Sequence, residues 1–271
     1  MSARVLKQRG NRATFTLKMP INAASRAAVD AENERVRRCV IPIIRDKDGR
    51  PYLEGSAVAL TYRSRKCLAT AFHVLSHNMD RPLFFFGADG RARILGGNFE
   101  ISELHDLAAI VLDAEDIEAL SHIPFLEEKH IGSAAGPDGR FYASVVGYPH
   151  SASKRIDKLT LDTPMEVYSN KAREEADGFV SVIFDKKDGA RGESGHVLVR
   201  DPFGKSGGAI FGMPLMGLNA VQMSATTKLV GVPTDWKQSE GRILGASVTA
   251  LIPLLEKVTQ SDVEDQGEPA S

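Results

Sequence analysis

The sequence holds only two cysteines in 271 residues, Cys39 and Cys67. At most one disulfide can form, which excludes a fold stapled by several bridges. The pair suits a reducing compartment, and both are read as buried thiols. No stretch approaches the roughly 18 apolar residues that a membrane-spanning helix needs, so no membrane association is expected. The charged opening MSARVLKQRGNRATF is followed by no apolar h-region. No secretory signal is therefore expected, and a cytoplasmic location is. An excess of one charge is also missing: 34 Lys+Arg stand against 35 Asp+Glu. That balance lacks the basic footprint of a nucleic-acid binder. No internal repeat is visible. His73 and His77 lie four apart, but no glutamate of an HExxH pattern accompanies them, so neither a metal nor another cofactor is expected.

What is present is an ordinary globular composition, 42% hydrophobic and 25% charged. It suffices for one large domain or two lobes of about 100 residues each. Residues 1–38 form an N-terminal extension. Within it 23–38 is rich in helix formers, with Asn22 as a candidate cap. From Cys39 the chain turns to short β-branched and aromatic runs separated by turn residues. Strands are expected at VIPII (40–44), SAVALTY (56–62), KCLATAF (66–72), LFFFG (83–87), ARILGG (92–97) and LAAIVLD (107–113). Residues 114–138 form a connector with a short helix over 117–123. Strand character resumes at 141–149, 159–169, 178–184, 196–200, 209–212, 228–233 and 242–247. Residues 247–258 have helical spacing, and 259–271 read as a polar, disordered tail. The pattern is all-β: about six strands over 39–113, about six more from 139, and a C-terminal helix ending at 258. Spacing alone does not choose two barrels over one sandwich.

Three segments carry candidate chemistry: TAFH (70–73), ending an apolar strand; HDLAAI (105–110), opening one; and GKSGGA (204–209), a glycine-flanked serine. A serine hydroxyl is a weak nucleophile and needs an adjacent base. Histidine can take its proton near neutral pH and return it to a leaving amine. A carboxylate on the far ring nitrogen fixes the tautomer and stabilises the imidazolium. Glycine beside the serine lets backbone amides face a developing oxyanion, with Gly204 and Ser206 as the natural pair. Each segment alone has a plainer reading as a structural histidine, a turn aspartate or an ordinary glycine turn. Ser194, in a second GxSG, is a weaker nucleophile candidate; Asp80 and Asp113 are weaker third members. Cys67 sits in no nucleophile motif.

Together, in the order His73, Asp106, Ser206, these segments resemble the chymotrypsin/trypsin-type serine peptidases, whose triad order differs from those of subtilisin and the α/β-hydrolases. TAFH is similar to the family's TAAH-like segment, Asp106-Leu107-Ala108 to its D-[IL]-A, and GKSGGA to its G-x-S-G-G-[PA]. EGSAV (54–58), LVGV (229–232) and SVTALIPLLEK (247–257) add to the likeness, which covers about residues 39–258. VGYP (146–149) resembles the bacterial branch. The resemblance implies two six-stranded antiparallel β-barrels with the triad in the cleft between them, an acyl-enzyme mechanism and a protein or peptide substrate. That substrate would be added as a strand along Gly231, Val232, Pro233 and Thr234. It also implies a regulated bacterial effector, in stress response or antiphage defence; control would come from a protein partner, a ligand or residues 1–38, and the plainer reading of 1–38 is that they brace the first barrel.

Two positions depart from the family. Phe72 replaces a small residue before the histidine. Lys205 replaces the aspartate that receives a freed N-terminus during zymogen activation, a role that lysine cannot play. Specificity stays open among three readings. The resemblance implies that the residue six before the serine, here Arg200, lies at the base of the primary pocket, with Arg242 opposite, and so predicts cleavage after an acidic residue. One residue of slippage puts Asp201 there and predicts cleavage after Lys or Arg. In the third reading these side chains are simply solvated. The competing functions are a catalytically silent peptide-binding module on the same fold and an esterase on another β fold.

Overall fold

The computed structural model describes residues 36–77, 81–136, 138–156, 161–186, 191–192, 195–196, 200–213 and 227–265. In chain order the first half comprises β1 (Val40–Asp46), β2 (Pro51–Tyr62), β3 (Arg65–Ala71), α1 (Phe72–Ser76), β4 (Leu83–Phe86), β5 (Ala92–Ile94), β6 (Glu100–Ser102) and β7 (Leu107–Val111). Helix α2 (Ala114–Ala119) follows. The second half comprises β8 (Arg140–Gly147), β9 (Lys154–Arg155), β10 (Leu161–Asp162), β11 (Glu166–Glu174), β12 (Phe179–Ile183), β13 (Arg191–Gly192), β14 (Gly195–His196), β15 (Ala209–Met213), β16 (Lys228–Lys237), β17 (Arg242–Ser247) and α3 (Val248–Asp265).

Six of the later strands close into an antiparallel barrel in the order β11-β12-β17-β16-β15-β8. The earlier strands form a seven-stranded sheet, β5-β4-β1-β2-β3-β7-β6, which does not close. Two closed barrels were expected, and only the second half matches. The sheet's edge strands, β5 and β6, are three residues each. They are short enough to leave the edges unpaired. β6 itself was not expected, because Glu100 and Ser102 dilute its apolar signal.

Side-chain alternation explains where the core lies. On β2, Ala57 and Ala59 face the interior of the first sheet, while Val58 and Leu60 face a second core shared with the other half. On β8, Val145 points into the barrel and Val146 into the shared core. These strands are buried on both faces and therefore read as continuous apolar runs. The shared core is completed by Leu251, Leu254, Leu255 and Val258 of α3, which packs against β6 and β7 of one half and β16 and β17 of the other.

Local chemistry moves several boundaries. Pro164, without an N–H, separates β10 from β11 where one strand was expected. Asp113 accepts the Asp116 N–H at 2.8 Å and starts α2 earlier than the expected 117. α3 continues to Asp265, past 258, with Thr259 buried and its hydroxyl donating to Leu255 O at 2.8 Å. The expected N-terminal helix over 23–38 and the strand at 196–200 lie mostly outside the described residues.

One buried charge ties the first half together. Arg45, 2% exposed, pairs through Nε with Glu54 Oε2 at 3.2 Å. Its Nη2 donates to Val74 O at 3.1 Å and its Nη1 to Arg81 O. It thereby fixes the last turn of α1 against β1 and β2. Replacing Arg45 with Met would strand the Glu54 carboxylate, and denaturant unfolding should show a loss of about 3–5 kcal/mol. Adding Glu54→Gln to that variant should recover part of it.

Candidate active site

Asp106 precedes β7 in a left-handed conformation, φ +52°, which aspartate tolerates better than most residues. Its N–H donates to Glu103 O at 3.2 Å. From there it caps α1. Phe72 N–H donates to Asp106 O at 3.0 Å, and His73 N–H donates to Asp106 Oδ1 at 2.8 Å. The other carboxylate oxygen, Oδ2, lies 2.6 Å from His73 Nδ1. Two of the amides left unpaired at a helix start are thus satisfied by the residue that also holds the ring. With Nδ1–H donated to the carboxylate, a neutral His73 carries its lone pair on Nε2.

Ser206 lies on the turn between Pro202 and β15, and the turn is fixed from the other half of the molecule. Ser56 of β2 is fully buried. Its N–H donates to Ser206 O at 2.9 Å and its hydroxyl to Gly204 O at 3.0 Å. The same hydroxyl accepts Tyr148 N–H at 3.0 Å. Thr70, three residues before His73, donates to Ser56 O at 2.7 Å. Further bonds close the turn: Lys205 N–H to Pro202 O at 3.0 Å, Gly208 N–H to Lys205 O at 3.0 Å, and Gly207 N–H to Pro233 O at 2.8 Å. Gly204 has φ +90°, and a Cβ there would meet His150 Cδ2 at 2.4 Å, so only glycine fits. The N–H groups of Gly204 and Ser206 have no acceptor among the described residues.

His73, Asp106, Gly204 and Ser206 line one cleft of about 690 Å³. No hydrogen bond joins Ser206 Oγ to His73 among the described residues. Apolar side chains line part of the cleft: Leu104, Phe179, Phe203, Trp236, Ile243 and Leu244. The Phe203 and Trp236 rings meet edge-on at 5.0 Å between centroids.

Of the expected substrate residues, Pro233 and Thr234 line this cleft. Gly231 is paired on both sides, to Ile210 and Ser247, and Val232 is in the shared core. Arg200, Asp201 and Arg242 do not line it. Arg200 pairs with Glu166 at 3.0 Å, Asp201 with Lys186 at 2.5 Å, and Arg242 with Glu175 at 3.2 Å. Counting along the chain locates a backbone position and not the direction of its side chain.

The rival candidates have other surroundings. Asp113 caps α2. Cys39 and Cys67 are buried and not joined in a disulfide, and burial pushes the Cys67 thiol up to about 12. His77 Nδ1 sits 3.6 Å from Glu54 Oε1. No group of three His, Cys, Asp or Glu could hold a metal ion among the described residues. Ser194 and Asp80 lie outside the described residues. Sequence reasoning gave no role to Ser56, although EGSAV was noted, nor to His150. The His150 ring packs on Tyr52 at 5.4 Å at the cleft wall, and burial lowers its pKa.

Lys205 is 1% exposed. Its Nζ lies 3.8 Å from Glu166 Oε2.

No protein-family model matches the sequence, and no curated protein matches it. Solved structures similar in shape include a serine endoprotease from Yersinia pestis, at 16% identity and TM-score 0.49, covering 85% of this chain and 66% of that one. The HtrA-type protease AlgW with a tripeptide has 18% identity and TM-score 0.46, covering 84% and 62%. A Sesbania mosaic virus structure concerned with the folding and binding of the VPg protein has 12% identity and TM-score 0.48, covering 78% and 86%. The chain thus spans slightly less than two thirds of the first two. No helix among the described residues is long and apolar enough to cross a membrane.

Burial pulls the Lys205 ammonium from 10.5 down to about 8, against the opposing pull of Glu166. Between those pH values the unfolded chain keeps a proton that the folded protein has released, so this group's contribution to stability rises with pH. Measured by denaturant unfolding, the stability of wild type relative to Lys205→Met should increase by about 3 kcal/mol from pH 8 to 10.5. A flat difference would show that the lysine titrates normally.

Proposed function

We propose that the chain is a serine endopeptidase working through Ser206, His73 and Asp106. The observation that carries this reading is the 2.6 Å contact of His73 Nδ1 with the Asp106 carboxylate, in a cleft that Ser206 also lines. His73 Nε2 takes the Ser206 proton as Oγ attacks the scissile carbonyl, and Asp106 stabilises the imidazolium. The carbonyl oxygen, now an oxyanion, accepts from the Gly204 and Ser206 N–H groups. A single donor of that kind is worth about 10²–10³ in turnover. The imidazolium returns its proton to the leaving amine, and water then hydrolyses the acyl-enzyme by the same route. None of these steps calls for a cofactor.

The substrate reading is an extended peptide. Among the described residues β16 pairs with β15 from Lys228 to Gly231. Beyond that, Thr234 to Trp236 offers an edge along which a peptide can add a strand. The apolar side chains beside it suit an uncharged apolar residue before the scissile bond. Burying a Lys or Asp side chain against these apolar groups would cost desolvation. The thiols of Cys39 and Cys67 accord with a reducing compartment, and a regulatory protein partner or defence role is carried by resemblance alone.

One observation favours a second reading, a catalytically silent peptide-binding module: Ser206 and His73 share no hydrogen bond among the described residues. Triads without substrate are often loosely aligned, so the peptidase reading is preferred. A fluorophosphonate probe should label Ser206 in the folded protein, and no labelling would favour the silent module. Ser206→Ala and His73→Ala should each lower turnover by about 10⁴–10⁶, and the double variant should be little worse. In a peptide library the residue before the cleaved bond should be apolar. A preference there for Lys, Arg, Asp or Glu would sink the substrate reading.

A further inference from the structure

Glu166 opens β11 and is register partner to Gly147 of β8, so the barrel ladder fixes its backbone. Its carboxylate serves two cations, Arg200 Nη1 at 3.0 Å on Oε1 and Lys205 Nζ at 3.8 Å on Oε2. Both cations belong to the segment that runs into the nucleophile turn, one at its entry and one beside Ser206. Lys205 is also pressed onto β8. A Cβ on Gly147 would lie 2.9 Å from Lys205 Cα and 3.0 Å from its Cβ. Between the two anchored residues the carbonyls are turned inward. Phe203 O accepts His150 N–H at 2.8 Å, and Gly204 O accepts the Ser56 hydroxyl at 3.0 Å. Inward carbonyls leave the amides of Gly204 and Ser206 without acceptors among the described residues.

We propose that Glu166 and Lys205 are positioning residues, a two-point clamp through which one barrel carboxylate holds residues 200–206 in the conformation that presents these amides to the cleft. The physical driver is the buried ammonium. Paired with Glu166, it can stay inside. Without that partner it is an uncompensated buried charge, relieved by giving up its proton or by drawing residue 205 outward, which reorients the peptide groups on either side. The clamp lies wholly within the second half and needs no new chain end to dock beside Ser206. Its catalytic consequence rests on the peptidase reading; its conformational consequence does not.

Amide hydrogen exchange in the full chain reads the clamp without any catalysis. Glu166→Gln changes a part-exposed residue isosterically. It should speed exchange at the Lys205 and Gly208 amides by about tenfold or more, while the β8 amides of Val145 and Val146 stay unchanged. Glu166→Asp keeps the charge at shorter reach and should fall between wild type and Glu166→Gln. Turnover of a peptide should fall by about tenfold or more in Glu166→Gln, with KM moving less than about twofold. Unchanged exchange at both amides in folded Glu166→Gln would overturn the proposal, as would equal effects of the Asp and Gln variants. Faster exchange in a protein that a fluorophosphonate never labels would uphold the clamp and remove the peptidase reading.

Discussion

The arrangement of the cleft depends on the hydrogen bonds of one buried serine. Ser56 belongs to the sheet that carries His73, yet its N–H and hydroxyl both donate to the turn that carries Ser206. Its carbonyl accepts from Thr70 on the strand that leads into α1. Every polar group of Ser56 is used, as a fully buried residue requires. The space around it is equally committed. A Cβ on Gly207 would come within 2.2 Å of Ser56 O. The two halves of the molecule can therefore approach only in one register, with a serine at one position and glycines around it.

The two sides of the cleft are built differently. The His73–Asp106 pair is assembled within the first half, by a capped helix start and an adjoining strand. Its geometry follows from residues 72–107 and from Arg45 beneath the helix. The Ser206 side is a turn with little structure of its own, and it takes its shape from β2, from β8 and from a carboxylate on β11. A local unit thus meets a unit shaped by distant contacts, and errors of folding would fall mainly on the second.

This difference accounts for what could be read in the sequence. The three segments that meet at the cleft are local patterns, a strand end, a strand start and a glycine turn, and each stands out in the sequence with its neighbours. Most long strands were legible because burial on both faces makes them apolar runs. Closure of the first sheet was not, since it turns on whether β5 and β6 meet across the edges. Nor were the tasks of Arg45, Ser56 and Glu166, whose meaning comes from partners far away in the chain. Lys205 stood out as an odd residue, but its counter-charge on Glu166 is visible only in three dimensions. The partners of Arg200 and Asp201, Glu166 and Lys186, are likewise visible only in three dimensions.

Helix α3 carries a consequence for the timing of folding. Its apolar face fills the core between the two halves, yet it lies downstream of every strand. On a chain made from its N-terminus, earlier units can form first, and the first sheet and much of the barrel can assemble before α3 is available. Their shared core cannot close until Leu251 to Val258 have emerged. Bringing His73 and Ser206 to a common cleft therefore follows the emergence of α3 rather than the completion of either half.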